Sequence, residues 1–240
     1  FAKLCVPMRI PRSIQLFPTQ GLVHQFWRCH NKEHYLNSSE MKALYLQSLK
    51  DALKTHNKES ALEIHAYTCM DNHFHNLMNY LKESSKLSSF LRQAHALFGS
   101  RYNRIHKRSG KVAEGRPKTS LIENTDHQMR VHFYIEANPI RAGKCSEKKL
   151  RAYKYSSYRF YAYGIKDEFT EILTIPDWYI ALGGTPRERQ AKYRSFFQEY
   201  LKDTNFTNFF APFIGSPIWV LKTQKVAIDR VKEAALISSA

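Results

Sequence analysis

Apolar and polar residues along the chain repeat with two periods. Leu62, Ile64 and Ala66 alternate with Glu63, His65 and Tyr67, the two-residue period of a half-buried strand. After a turn-like Met70-Asp71-Asn72, residues 72–80 read as a second strand, and residues 22–30 as an earlier one. The helical period appears twice. Ser38-Ser39-Glu40 opens a helix to about His56, with Met41, Leu44, Tyr45, Leu49 and Leu53 as its stripe. Leu87, Phe90, Leu91, Ala94, Leu97 and Phe98 face inward from a helix over 87–102. Strand, helix, strand, strand, helix predicts an α+β sandwich with an antiparallel sheet.

A further helix starts at a capping-box pattern, Thr125-x-x-Gln128, with Asp126 at the positive end of its dipole. Met129, Phe133 and Ala137 follow at four-residue steps, and Pro139 predicts a stop at Asn138. Residues 112–121 suggest a hairpin arm presenting Arg116 and Lys118. Residues 175–200 read as a small helical unit, with breaks at Gly183-Gly184 and a new start at Thr185-Pro186. Residues 1–20, with Pro7, Pro11 and Pro18 among Lys3, Arg9 and Arg12, form an irregular basic arm. Residues 206–219 are aromatic-rich, and 221–236 suit an amphipathic helix.

Charge narrows the choice of partner. The 240 residues carry a net +16 with a pI near 9.7, which favours a polyanion. Residues 82–118 hold ten cations against Glu83 and Glu114, half of that net charge. Cys5, Cys29, Cys69 and Cys145 are scattered, with no C-x-x-C pair, so neither a disulfide framework nor a thiolate zinc site is indicated. No apolar run approaches the roughly 20 residues of a membrane span. The expectation is a cytoplasmic, nucleoid-associated protein with no membrane partner.

Two short pieces carry the candidate chemistry. His73 and His75 sit two apart on the expected strand, so they share a face while Phe74 points away. Tyr134 and Asn138 sit four apart on the expected helix, neighbours on one side. Two imidazoles and an amide oxygen bind a cation without cancelling its charge, which suits Mg2+ or Mn2+ with open positions better than structural zinc. A phenol with a pKa of about 10 is a poor nucleophile until a nearby cation stabilises its phenolate.

Cys69-Met70-Asp71-Asn72-His73-Phe74-His75 resembles the His-hydrophobe-His motif of the single-tyrosine HUH transposases. Tyr134-Ile135-Glu136-Ala137-Asn138-Pro139-Ile140-Arg141-Ala142-Gly143 resembles the tyrosine-helix signature of one branch, the REP-associated tyrosine transposases. Gly110-Lys111-Val112, Gly115-Arg116-Pro117-Lys118, Tyr155-Ser156-Ser157-Tyr158 and Leu182-Gly183 agree in order and spacing, so the resemblance spans about residues 20–200. It implies a ferredoxin-like (RRM-like) antiparallel sheet with packed helices and a helical C-terminal extension. The divisions expected are a basic arm at 1–20, the transposase-type nuclease domain at 21–165 and the extension at 166–240. It also implies Tyr134 as nucleophile, with His73, His75 and Asn138 on a divalent ion. The substrate would be single-stranded or hairpin DNA, handled by a monomer. One departure stands out: Asn76 follows His75 where the family usually has an aliphatic residue, and alternation puts it on the Phe74 face.

Candidate DNA contacts are Arg101, Arg104, Arg108, Lys111, Arg116, Lys118 and Arg141. Cations and aromatics also interleave over residues 141–163, a mixture that suits single strands or a core. Two other classes remain open: a nucleic-acid-binding module without chemistry, and a metal-dependent hydrolase that uses water. Binding without a tyrosine adduct marks the first, and cleavage that survives Tyr134→Phe marks the second.

Overall fold

Alternation along one strand divides the molecule into two cores. Strand β3 (His73–Tyr80) sends Phe74, Met78 and Tyr80 to one side of the sheet and Leu77 to the other, with His73 and His75 on the Leu77 side. The computed structural model describes residues 18–56, 61–122 and 124–202, so most of the basic arm and both segments of the tail lie outside the described residues. Within them, β1 (Gly21–Arg28), β2 (Leu62–Cys69), β3 and β4 (Lys118–Leu121) form one antiparallel sheet in the order β2-β3-β1-β4. With α1 (Ser39–His56) between β1 and β2 and α2 (Ser84–Ile105) between β3 and β4, this is the ferredoxin-like βαββαβ arrangement.

The Phe74 face is covered by α1 and α2. Ser38 caps α1 by accepting a hydrogen bond from Met41 N (3.1 Å), and Met41, Tyr45, Leu49 and Ala52 form its buried stripe. Arg101 ties the two helices together, 2.6 Å from Asp51 and 3.1 Å from Ser48 Oγ. Asn76 is fully buried on this face as expected. Its register partner Gln25 is buried with it, and neither side chain has a hydrogen-bond partner among the described residues.

The Leu77 face is covered by α3 (Thr125–Arg141), α5 (Tyr158–Tyr163) and α7 (Pro186–Lys202), with the short α4 (Glu147–Leu150) and α6 (Asp177–Ile180) between them. Every residue of α3 from Val131 to Pro139 is buried, because the sheet lies under it and α7 over it. Glu136 fixes its rotation. One carboxyl oxygen accepts a hydrogen bond from Ser157 Oγ (2.5 Å), and the other accepts one from the Tyr193 hydroxyl of α7. Trp178, Tyr193 and Phe197 share this core with Phe133 and Tyr161.

Four local expectations need correction. The alternation of β2 breaks at a bulge between Ile64 and Ala66, so Ala66 faces α3 while Tyr67 packs under α1 and α2. The cap of α3 is Asn124, whose side chain accepts from His127 N (2.8 Å), one residue before Thr125. Residues 118–121 pair with β1 as an edge strand, so residues 112–121 do not form a projecting hairpin. Finally, α3 continues past Asn138 to Arg141. Pro139 has no N–H for the Ile135 carbonyl, and Asn138 Nδ2 replaces it by donating to Ile135 O (3.3 Å) and to Tyr134 O (2.8 Å). Gly143, at φ +67, then turns the chain away.

Tyr193→Phe removes one of two donors to a carboxyl that has no access to water. The expected loss of stability is about 1–3 kcal/mol in a denaturant titration. An unchanged midpoint would mean that this bond does not hold α3.

Candidate active site

Three elements meet at one end of the sheet. The β1–β3 register sets Phe26 opposite His75 and Arg28 opposite His73, and residue 71 begins the turn into β3. The last two turns of α3 lie over that end. Together they enclose a cavity of about 250 Å3 lined by Arg28, His73, His75, Tyr134, Asn138 and Arg141, with Phe26 and Ala142. The imidazoles of His73 and His75 stand 5.1 Å apart, nearly perpendicular, and the Tyr134 ring meets His75 edge-on at 5.7 Å.

Hydrogen bonds decide which atoms are left for a ligand. Asn72 Nδ2 donates to Lys32 O (3.1 Å), which turns Asn72 Oδ1 toward His73 Nδ1 at 2.6 Å. That oxygen can only accept, so the His73 proton sits on Nδ1 and Nε2 keeps its lone pair. His75 Nδ1 lies 2.9 Å from Nε2 of the buried His24, and a proton donated from His75 leaves its Nε2 likewise. Both amide hydrogens of Asn138 are spent on carbonyls, so its remaining capacity is Oδ1. The same bonds that carry the helix past Pro139 therefore set which Asn138 atom is left to accept.

Two imidazole nitrogens and one amide oxygen fit a divalent ion with open positions. All three are neutral donors, and no group of three or more His, Cys, Asp or Glu side chains suited to a metal occurs among the described residues. The C-terminal end of α3 adds the partial negative charge of its dipole on the same side. Protons do not compete for these imidazoles at neutral pH. Burial, aided by Arg28, lowers His73 to about 4, and burial with His24, His73, Arg28 and Arg141 places His75 well below its ordinary value. Burial and His127 lower His24 to about 3. Burial raises the Tyr134 phenol to about 12, opposed by Arg141, whose guanidinium lies 4.8 Å from the ring centre.

Of the residues expected from sequence, His73, His75, Tyr134, Asn138 and Arg141 come together here. Lys118 borders the site across Phe26, its Nζ 6.0 Å from that ring. Arg101 is engaged between α1 and α2, while Arg108 lies over Tyr35 at 5.0 Å. Arg104, Lys111 and Arg116 are exposed and outside the cavity. Residues 112–114 still run beside the Arg28 end of β1, through His30 N to Val112 O (2.8 Å) and Glu114 N to Arg28 O (3.0 Å). The aromatic stretch after α3 is divided. Tyr158 and Tyr161 are core, and the hydroxyls of Tyr153 and Tyr155 reach Cys69 O (2.7 Å) and Ser39 O (3.0 Å).

Sequence reasoning missed four residues. His24 and Arg28 lie in a strand with no motif, and only the register with β3 brings them to the site. Asn72 was read as a turn residue. Asp71 accepts from Lys42 (2.8 Å) and from Lys144, tying the histidine turn to the loop after α3. Burial alone would raise the Asp71 carboxyl, but the hydrogen bonds from Lys144 and Lys42 outweigh it and hold it below the usual range.

No protein-family model matches the chain, and no curated protein matches it. Among solved structures it is similar to a REP-associated tyrosine transposase bound to a REP hairpin, at 20% identity over 61% of this chain and 82% of that one, with a TM-score of 0.47. It is also similar to a Deinococcus radiodurans protein described as a transposase, at 15% identity over 54% of this chain and 96% of that one, with a TM-score of 0.36. Identities and scores this low say nothing of the chemistry.

The buried histidines make stability depend on pH in the metal-free protein. An unfolded histidine protonates near 6.5, whereas His24 and His73 in the fold do so only near 3 and 4. Between those values the unfolded chain holds more protons, so stability falls as pH drops below 6.5. The slope is up to about 1.4 kcal/mol per pH unit for each histidine. Denaturant titrations at pH 7 and 5 should show the loss, and His24→Gln should make it shallower. An equal slope in the variant would count against a neutral, buried His24.

Proposed function

We propose that the chain is a metal-dependent enzyme that nicks and rejoins single-stranded DNA through a tyrosine adduct. The observation that carries this reading is the convergence of Tyr134, His73, His75 and Asn138 on one cavity that also holds two guanidiniums. A divalent ion on the two imidazoles and Asn138, Mg2+ or Mn2+, would polarise a phosphate oxygen and favour the phenolate.

Tyr134 Oη attacks the phosphorus of the scissile phosphodiester, and the bond from phosphorus to the 3′ oxygen breaks. The 5′ side stays on the protein as a phosphotyrosine, and the other side leaves as a 3′-hydroxyl. The phenol loses one proton and the departing oxygen gains one, so the step balances. Because the adduct keeps the energy of the phosphodiester, a second 3′-hydroxyl can attack it and rejoin strands without ATP. Arg141 over the Tyr134 ring favours the charged phenol, and Asn138 holds its geometry through α3. A hairpin-bearing substrate and a monomeric enzyme rest on the motif resemblance to the REP-associated tyrosine transposases. No helix among the described residues is long and apolar enough to cross a membrane. The basic composition fits a nucleic acid partner.

The test uses labelled hairpin oligonucleotides from the flanks of the protein's own gene, with Mn2+ or Mg2+, on denaturing gels. A covalent band is expected, absent in Tyr134→Phe and weakened at least about 100-fold in His73→Ala. Cleavage that persists in Tyr134→Phe would point to water as the nucleophile. Tight binding with no band, across several hairpins and both ions, would leave a binding module.

A further inference from the structure

The cavity under Tyr134 has a lopsided charge inventory. Arg28 lines it from the end of β1 and Arg141 from the last turn of α3, and among the described residues no carboxyl group lines it. Among the described residues, no acidic side chain pairs with either guanidinium. Asp71, at the turn leading into His73, is already engaged by Lys42 and Lys144.

Arg28 is held in place. The Arg28 guanidinium lies 5.0 Å from the centre of the Phe26 ring, and that ring packs against His73 and His75 at 5.6 and 4.9 Å. Arg28 is half-buried and stands opposite His73 in the strand register. The Arg141 guanidinium lies 4.8 Å from the centre of the Tyr134 ring, on the other side of the same cavity lining. A dication entering this cavity meets two cations and only neutral donors. A phosphate entering it meets two guanidiniums, groups whose planar donors suit phosphate oxygens. Each ligand therefore lacks what the other supplies.

We propose that Arg28 and Arg141 form a phosphate-binding pair that makes cation binding conditional on DNA. The divalent ion binds weakly to the free protein and tightly once a phosphodiester lies against the two arginines. This rests on the function proposed above and adds Arg28, which no motif marks. Linkage makes the effect reciprocal, so the ion tightens DNA by the same factor. One consequence is control: the free protein does not carry a loaded site until ion and strand arrive together.

Mn2+ titrations read by EPR test this in a Tyr134→Phe background, which forms no adduct. They are run alone and with a saturating flank hairpin oligonucleotide, with Mn2+ bound by the oligonucleotide itself subtracted. The oligonucleotide should tighten Mn2+ binding about tenfold or more. Arg28→Gln should bind Mn2+ about fivefold more tightly without DNA and lose most of the tightening, while Arg28→Lys keeps both parent properties. Arg141→Gln, at an exposed position, should repeat the effect without disturbing the sheet. If both Gln variants match the parent while His73→Ala abolishes binding, the pair is overturned and the cation site stands. If Mn2+ binds no form, with or without the oligonucleotide, the metal-dependent function falls with the pair.

Discussion

Glu136 has no access to water, and each of its oxygens accepts a hydrogen bond, one from Ser157 and one from Tyr193. A buried carboxyl tolerates little rotation once its partners are set, because any turn leaves an acceptor unsatisfied. Glu136 lies two residues from Tyr134 and so on the far side of α3. Fixing one side fixes the other: with Glu136 held against α5 and α7, Tyr134 and Asn138 face the end of β3. His132, also fully buried, has Nε2 3.3 Å from the same carboxyl without making a hydrogen bond, and its ring packs edge-on against Tyr161 and Trp178. Helix α7 thus helps to set the angle of the candidate nucleophile as well as covering apolar surface.

The sheet supplies the other half of the constraint. A strand offers two histidines on one face only if the opposite face can be buried, and Phe74, Met78 and Tyr80 do that against α1 and α2. A slip of one residue would exchange the imidazoles for Phe74. The Asp71 ion pairs join this half to the first, since Lys144 follows α3 and Lys42 belongs to α1. Asn76 and Gln25 show where the strand is less well served. Their amides face each other across β1 and β3 in the apolar layer without a hydrogen-bond partner among the described residues, and the structure offers no physical reason for them.

Much of this was legible in the sequence because it follows from short periods. Strands β1, β2 and β3, the two long helices, the helical unit after residue 175 and the shared face of His73 and His75 all come from alternation or four-residue spacing. What was not legible depends on pairing between distant segments. His24 and Arg28 reach the site only because β1 lies beside β3, and a single strand does not reveal its neighbour. The end of α3 was misjudged for a local reason. Proline normally closes a helix, and the preceding asparagine can repair the break only if its side chain turns back onto the carbonyls. The bulge at Ile64 and Ala66 was hidden because its residues suit either face.

The state of the phenol says when the site can act. At pH 7 a group that titrates near 12 is charged in only about one molecule in 100,000, a deficit of about 7 kcal/mol. Arg141 already sits over that ring, so its charge is included in the shift and cannot be what closes the gap. His73, His75 and His24 stay neutral and add no charge of their own, and among the described residues the cavity has no carboxyl to take the proton. In the proposed reaction the missing stabilisation must therefore come from what binds. That favours a donor set without charge, because every negative ligand on the ion would weaken its pull on the phenolate. On the proposed reading, an asparagine as third donor, in place of a carboxyl or another imidazole, would follow from the nucleophile: a buried tyrosine needs an ion with its charge intact, and Asn138, one turn along the same helix, would supply a ligand that leaves it so.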